Sequence, residues 1–251
     1  MEWVEDFYSK QYSWSKTHTN YDMEELRDDL VGKLERLADP KPKKILELGG
    51  GNGQFAVAAA RQGYEVTVIE IVPACITHTI KLAKKHHVEK NITVIQGDFH
   101  HVKLNEQFDL ICYWDGFGVG TDSDQQLLVN RIDNWLAPMG TVLVDIYTPW
   151  YWANTAGQEM NIDGISRRYD FDAHECRMLD TWWQNQEPDH KITQSLRCYS
   201  PADLRVLLKN TELELVDLEP GGAMDYKNWQ YKNDVPLVQA MGYTAKFKKM
   251  D

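Results

Sequence analysis

The sequence predicts an α/β protein with three layers, α/β/α, built on a seven-stranded, mostly parallel sheet with helices on both faces. Three features predict it. The run ILELGGGNG at 45–53 is strand-like up to Leu48, turns abruptly into glycine, and is followed at once by helix-forming residues 54–62. Strand-like and helical segments then alternate as far as residue 147, the order that builds parallel sheets. Two late apolar runs, 213–218 and 242–248, read as the sixth and seventh strands.

The 251 residues are long enough to bury a large core and are most simply one domain spanning 1–251. The net charge of −11, with only short basic runs such as 41–44, sets the chain against phosphate backbones, so no nucleic-acid partner is expected. Cys75, Cys112, Cys176 and Cys198 are far apart and form no C-x-x-C pair, which suits a reducing compartment and a cytoplasmic location. The opening MEWVEDFYSK has acids where a signal peptide needs basic and then apolar residues. No window approaches 18 apolar residues, so no membrane span is expected.

Residues 1–20 are rich in aromatics but lack a clean period. Met23, Leu26, Leu30, Leu34 and Leu37 recur at spacings of three and four, which predicts a helix over 22–38, ended by Pro40 and Pro42. After the glycine turn and its helix comes a second strand, 65–69, ending in Glu70. Pro73 then opens a helix reaching about His87. A third strand, 92–96, runs into Gly97-Asp98-Phe99. His100 and His101 follow with no further ligand at metal spacing, so no metal is expected and both are placed in solvent or on a rim. A fourth strand, 108–114, leads into Asp115-Gly116-Phe117-Gly118. A helix over 123–136, the stop Pro138-Met139-Gly140 and a strand at 141–146 complete the alternation.

From 148 to 197 the alternation breaks down into three extended stretches, 164–171, 176–184 and 191–199. These read as an antiparallel β insertion after strand five. Order resumes at Ser200 as N-cap, Pro201 at N1 and Asp203 at N3, a sound helix start. Between the last two strands, 221–238 carries Tyr226, Trp229 and Tyr231 and reads as a rim loop.

The glycine turn decides between two ligand classes. A dinucleotide fingerprint counted from Gly49 reaches Gly51 and then fails at Gln54. The pattern that fits is E-x-G-x-G-x-G, through Glu47, Gly49, Gly51 and Gly53. It resembles motif I of the class I S-adenosylmethionine (SAM)-dependent methyltransferases, of the small-molecule methyltransferase-domain type. A carboxylate beside this turn suits a ligand with a sulfonium and an ammonium and would repel a pyrophosphate. The runs W-D-G-F-G at 114–118, L-A-P-M-G at 136–140 and R-C-Y-S-P-A-D-L from Arg197 extend the resemblance, which covers 44–147 and 197–248.

The resemblance implies SAM as cofactor. The turn Gly49, Gly50, Gly51 and Gly53 would lie against its methionine part and Glu47 would hold its cationic end. Glu70, followed by Ile71, would grip the ribose. Asp98 would accept from the adenine amino group, with the backbone N–H of Phe99 on the ring. Tyr113 and Trp114 would sit near the reacting methyl. It further implies that residues 1–40 form an N-terminal helical lid, with Tyr12, Trp14 and His18 as candidate wall residues; ordinary aromatic packing is the alternative. The 148–197 insertion would close over a small-molecule acceptor and help form a homodimer.

Methyl transfer is an in-line displacement that needs positioning and exclusion of water, and a base only where the nucleophile is protonated. Asp115, His18, His174 and Tyr199 are the candidates for contact with that nucleophile, whether O, N or C. The alternatives left open are a non-catalytic SAM-binding protein and an NAD(P)-dependent oxidoreductase.

Overall fold

The computed structural model describes residues 2–18 and 22–249. An N-terminal helix, α1 (Glu2–His18), precedes α2 (Asp28–Leu37). The alternating part follows as β1 (Lys44–Leu48), α3 (Gln54–Arg61), β2 (Glu65–Glu70), α4 (Pro73–Lys85), β3 (Ile92–Gln96), β4 (Phe108–Tyr113), α5 (Asp122–Trp135) and β5 (Leu136–Tyr147). A short helix, α6 (Pro149–Thr155), leads into β6 (Glu159–Ile162), β7 (Ile165–Asp172), β8 (Arg177–Gln184) and β9 (Ile192–Arg197). The chain ends with α7 (Pro201–Leu207), β10 (Leu213–Pro220), a small hairpin of β11 (Ala223–Asp225) and β12 (Gln230–Lys232), and β13 (Gly242–Lys249).

The main sheet has seven strands in the order β10-β13-β5-β4-β1-β2-β3. β1 through β5 pair in parallel and β13 alone runs against its neighbours, giving the mostly parallel sheet expected. β1 lies between β4 and β2, so both its edges are paired, and helices cover its two faces, which leaves Ile45, Leu46 and Leu48 wholly buried. The helix that follows is packed just as tightly: Phe55 through Ala60 of α3 are all buried, and small alanines let it approach the sheet closely.

Three local expectations are corrected. The residues before α2 are not helical, because the Gln54 side-chain amide donates to the carbonyls of Asp22 (3.0 Å) and Glu25 (2.7 Å) and holds the segment in turns over the glycine loop. Residues 2–18, where no period was legible, form a continuous helix. The 221–238 segment holds the β11–β12 hairpin rather than a plain loop.

The insertion is a separate four-stranded antiparallel sheet, β6-β7-β8-β9, with α6 and β6 as elements not foreseen. The adjacent Trp182 and Trp183 face opposite ways, as a strand demands. Trp182 is buried against Phe7 and Ile165, while Trp183 lies on the other face under the Lys191 ammonium. Phe7 therefore anchors α1 to the insertion.

Candidate active site

The loops after β1, β2, β3 and β4 converge at the carboxyl ends of the parallel strands, where ligands bind in open α/β sheets. They surround a cavity of about 380 Å³, walled on the far side by α1. The size suits one small-molecule site.

The glycine turn forms its floor. Gly49, Gly51 and Gly53 all have positive φ (62°, 51° and 75°), which explains glycine at every second position. A Cβ at Gly51 would meet nothing within 4 Å, so the backbone there lies open to the cavity. Gly50 also lines the cavity, but its hydrogen is demanded by packing, since a Cβ would fall 2.3 Å from Val68 Cγ1. Gly53 has a different task from the one expected. It is not among the cavity-lining residues; a Cβ would strike Thr79 at 2.5 Å, so it brings α3 against α4.

Two carboxylates flank the turn. Glu47, at 4 % exposure, has one oxygen, Oε2, without a hydrogen-bond partner. Burial first, and then the negative field of Glu70, push its pKa well above the usual carboxylate range. Glu70 ends β2 and accepts from two backbone N–H groups, Gly51 and Val72, each at 2.8 Å. Burial raises its pKa and these two bonds oppose the rise. Glu70 thus braces the glycine turn while each oxygen keeps a second lone pair.

Ile71, Asp98 and Phe99 line the next part of the wall. Asp98 accepts from the His100 backbone N–H at 2.8 Å and lies 2.9 Å from His100 Nδ1, the contact that chiefly holds its carboxyl below the usual range. The pair of histidines is therefore split. His101 is exposed as expected, but His100 is buried at the cavity wall because Asp98 holds both its backbone and its ring. Phe99 packs between His100, tilted against it at 4.7 Å between centroids, and Tyr113, edge-on at 5.4 Å.

Past Tyr113 and Trp114, which both line the cavity, the β4 loop presents Asp115. Asp115 is exposed and lines the cavity. Tyr147 donates to it at 2.8 Å, and desolvation raises its pKa. Gly116 follows with φ of 96°, and a Cβ on it would lie 2.9 Å from the Tyr113 hydroxyl and 3.0 Å from that of Tyr8. Glycine here lets three phenols gather around one carboxylate.

The other candidates for the nucleophile's surroundings do not meet Asp115. His174 sits on the β7–β8 turn, 92 % exposed and paired with Glu175, far along the hairpin from the cavity. Tyr199 is buried behind Phe117 with Arg197 over its ring at 4.7 Å, and it packs rather than lines. The side chain of His18 lies outside the described residues. Of the expected lid aromatics, Tyr12 lines the cavity, whereas Trp14 packs toward Phe7 and Trp182. Tyr8, Gln11 and Ser15 are residues that sequence reasoning missed. Together with Tyr12 they fall at helical spacings of three and four, a stripe hidden because it is polar and aromatic rather than apolar.

A family model described as a methyltransferase domain matches residues 20–218. The chain belongs to that family. The methyltransferase is 26 % identical over 210 residues to the protein arginine N-methyltransferase PRMT10 of Arabidopsis thaliana, an alignment covering 83 % of this chain. It spans 49 % of that relative's length. Among solved structures, the CcbJ methyltransferase from Streptomyces caelestis superposes with a TM-score of 0.71 at 17 % identity, covering 89 % of both chains. The glycopeptide N-methyltransferase MtfA, solved with SAM, gives a TM-score of 0.60 at 15 % identity, over 90 % of this chain and 88 % of that one.

SAM is accordingly the cofactor of this methyltransferase. The residues present fit it: the unpartnered Glu47 oxygen offers an acceptor for a cationic group, and the open backbone at Gly51 leaves room beside it.

Proposed function

We propose that this SAM-dependent methyltransferase methylates a small molecule held beneath α1 and the inserted sheet. The observation that carries the reading is the helix that stands over the strand ends. The helical face of Tyr8, Gln11, Tyr12 and Ser15 lies over the strand ends, and Phe7 locks that helix to the insertion. A polypeptide acceptor needs a broad, open approach, whereas α1 narrows this one to a size that suits a small molecule. The 148–197 insertion, expected also to support a homodimer, is read here as an acceptor cover.

Within this reading Glu47 and the backbone at Gly49, Gly50 and Gly51 receive the amino-acid end of SAM. Glu70 and Ile71 receive the ribose, and Asp98 with Phe99 the adenine. When bound, the cofactor supplies a methyl group already activated on a sulfonium. The chain's task is then to aim the acceptor and keep water out. Tyr113 and Trp114 shape the passage to the acceptor end, where Asp115 stands. The Gln54 side chain, at the position of a dinucleotide site's third glycine, is committed to the loop before α2.

The test uses SAM carrying a labelled methyl group, offered with a small-metabolite extract and, separately, with arginine-rich polypeptide. Label is expected in the small-molecule fraction. Label appearing only in polypeptide arginine, as the name of the Arabidopsis relative suggests for that protein, would overturn the small-molecule reading.

A further inference from the structure

The acceptor end of the cavity is built around Asp115, a carboxylate with which no Lys or Arg among the described residues forms an ion pair. Asp115 faces the cavity, and its only side-chain partner among the described residues is the Tyr147 hydroxyl. Arg167, the cation whose field reaches it, is held bidentate by Asp180 at 2.5 and 3.3 Å and lies over the rings of Trp182 and Tyr169. Among the described residues three phenols also stand near Asp115, Tyr8 from α1, Tyr113 from β4 and Tyr147 from β5, and Asp180 adds a further negative field. A carboxylate open to the cavity and flanked by phenols is a ready partner for a ligand that brings positive charge and displaces the water around it.

We propose that the nucleophile is the amine nitrogen of a small molecule, received as an ammonium by Asp115 within the Tyr8–Tyr113–Tyr147 cage. This rests on the small-molecule reading above and names its substrate class. The charge flow of the reaction separates an amine from other acceptors. The ammonium first gives a proton to Asp115, whose solvent-accessible carboxyl passes it to water and is ionised again before the methyl group moves. The nitrogen lone pair then forms the N–C bond to the methyl group while the pair of the breaking C–S bond returns to sulfur. Positive charge leaves sulfur and develops on nitrogen, beside the carboxylate that stabilises it. A carboxylate acceptor would be repelled at the same place, and a deprotonated hydroxyl would meet like charge. The raised pKa of Asp115 makes it a better proton acceptor than an ordinary aspartate.

The experiment compares phenethylammonium with its near-isosteric alcohol, 2-phenylethanol, by calorimetry on protein saturated with S-adenosylhomocysteine. Wild type is expected to bind the ammonium at least tenfold more tightly than the alcohol. Asp115→Asn, nearly isosteric and uncharged, is expected to lose that preference while keeping its affinity for S-adenosylhomocysteine, which reports that it is folded. Tyr147→Phe serves as a second variant and should narrow the preference without abolishing it. No preference in wild type, whether both probes bind alike or neither binds, overturns the proposal, as does a full preference in Asp115→Asn. Labelling of hydroxyl or carboxylate metabolites alone in the extract overturns the amine while leaving the small-molecule reading intact. Labelling of polypeptide alone removes that reading first.

Discussion

The side-chain amide of Gln194, in β9, donates to the phenol oxygen of Tyr8, in α1, and so ties the inserted sheet to the N-terminal helix across 186 residues of sequence. Gln194 is buried, so removing its partner leaves an amide unsatisfied at a cost of about 1–3 kcal/mol, and that cost falls on the docking of α1 rather than on the main sheet. Tyr8→Phe is expected to raise the acceptor KM roughly five- to tenfold while leaving SAM affinity within about twofold. Phe7→Ala, which empties a buried contact with Ile165 and Trp182, should do the same more severely with only a small change in Tm. Steady-state kinetics beside calorimetry separates the two effects. Loss of SAM binding in step with acceptor binding would mean that α1 serves the cofactor instead.

Glu70 holds two backbone N–H groups and also faces the cavity, so its loss acts twice. Glu70→Ala is expected to weaken SAM binding by more than tenfold, because the Gly51 N–H loses its acceptor and the turn its brace. The fold should persist, since β2 stays paired on both sides. Glu70→Gln keeps one acceptor oxygen and should lose less. Calorimetry with SAM checks the order, and equal affinity in wild type and Glu70→Ala would remove Glu70 from the cofactor site.

The chemistry along the strand ends was legible because each piece occupies consecutive positions. Glu47 and its glycines, Glu70, and Asp98 with Phe99 follow strands at fixed offsets, and all but Gly53 line one cavity. Glycine-53 spacing reports helix packing and cofactor approach alike, and only Thr79, 26 positions on, tells them apart. What stayed hidden depends on long-range partners. His100 is indistinguishable from His101 until Asp98 is seen to hold its ring. Tyr8 needs Gln194 and Gly116 to have meaning. Residues 22–27 carry a helical pattern that two hydrogen bonds from Gln54 override. His174 and Tyr199 carry side chains suited to a nucleophile's surroundings, but an exposed turn places the first and packing behind Phe117 the second, and neither lines the cavity.

The pKa of Glu47 is raised in the folded protein by burial and by Glu70, and this fixes the sign of a pH effect. A carboxyl raised on folding costs nothing below its unfolded pKa, where both states are protonated, and costs the full amount above its folded pKa, where both are ionised. The ligand-free protein should therefore lose stability as pH rises from about 4.5 through the folded value. Glu47→Gln should flatten that part of the profile and raise stability at pH 8 by about 1–3 kcal/mol, the scale of an unsatisfied buried group. The same variant should weaken SAM binding at pH 8, because the ionised carboxylate is the form that receives a cation. Thermal melts and SAM titrations at pH 5 and pH 8 measure both. An unchanged pH slope in Glu47→Gln would show that another acid, Asp115 or Asp145, carries it.

Met139, between Pro138 and Gly140 at the start of β5, has a φ of 64°. A residue with a Cβ in this left-handed region costs about 1–2 kcal/mol. The side chain is 60 % exposed and offers little packing to offset that cost. Glycine removes the strain but widens the unfolded ensemble, which returns about 0.4–1 kcal/mol. The net expectation for Met139→Gly is a gain of about 0.5–1 kcal/mol, or a Tm rise of roughly 1–4 °C for a chain of this length. SAM affinity should not change, since Met139 is not among the residues lining the cavity. A differential scan of the two proteins decides it. A lower Tm in the glycine variant would mean that the thioether makes contacts in solution that outweigh the backbone strain.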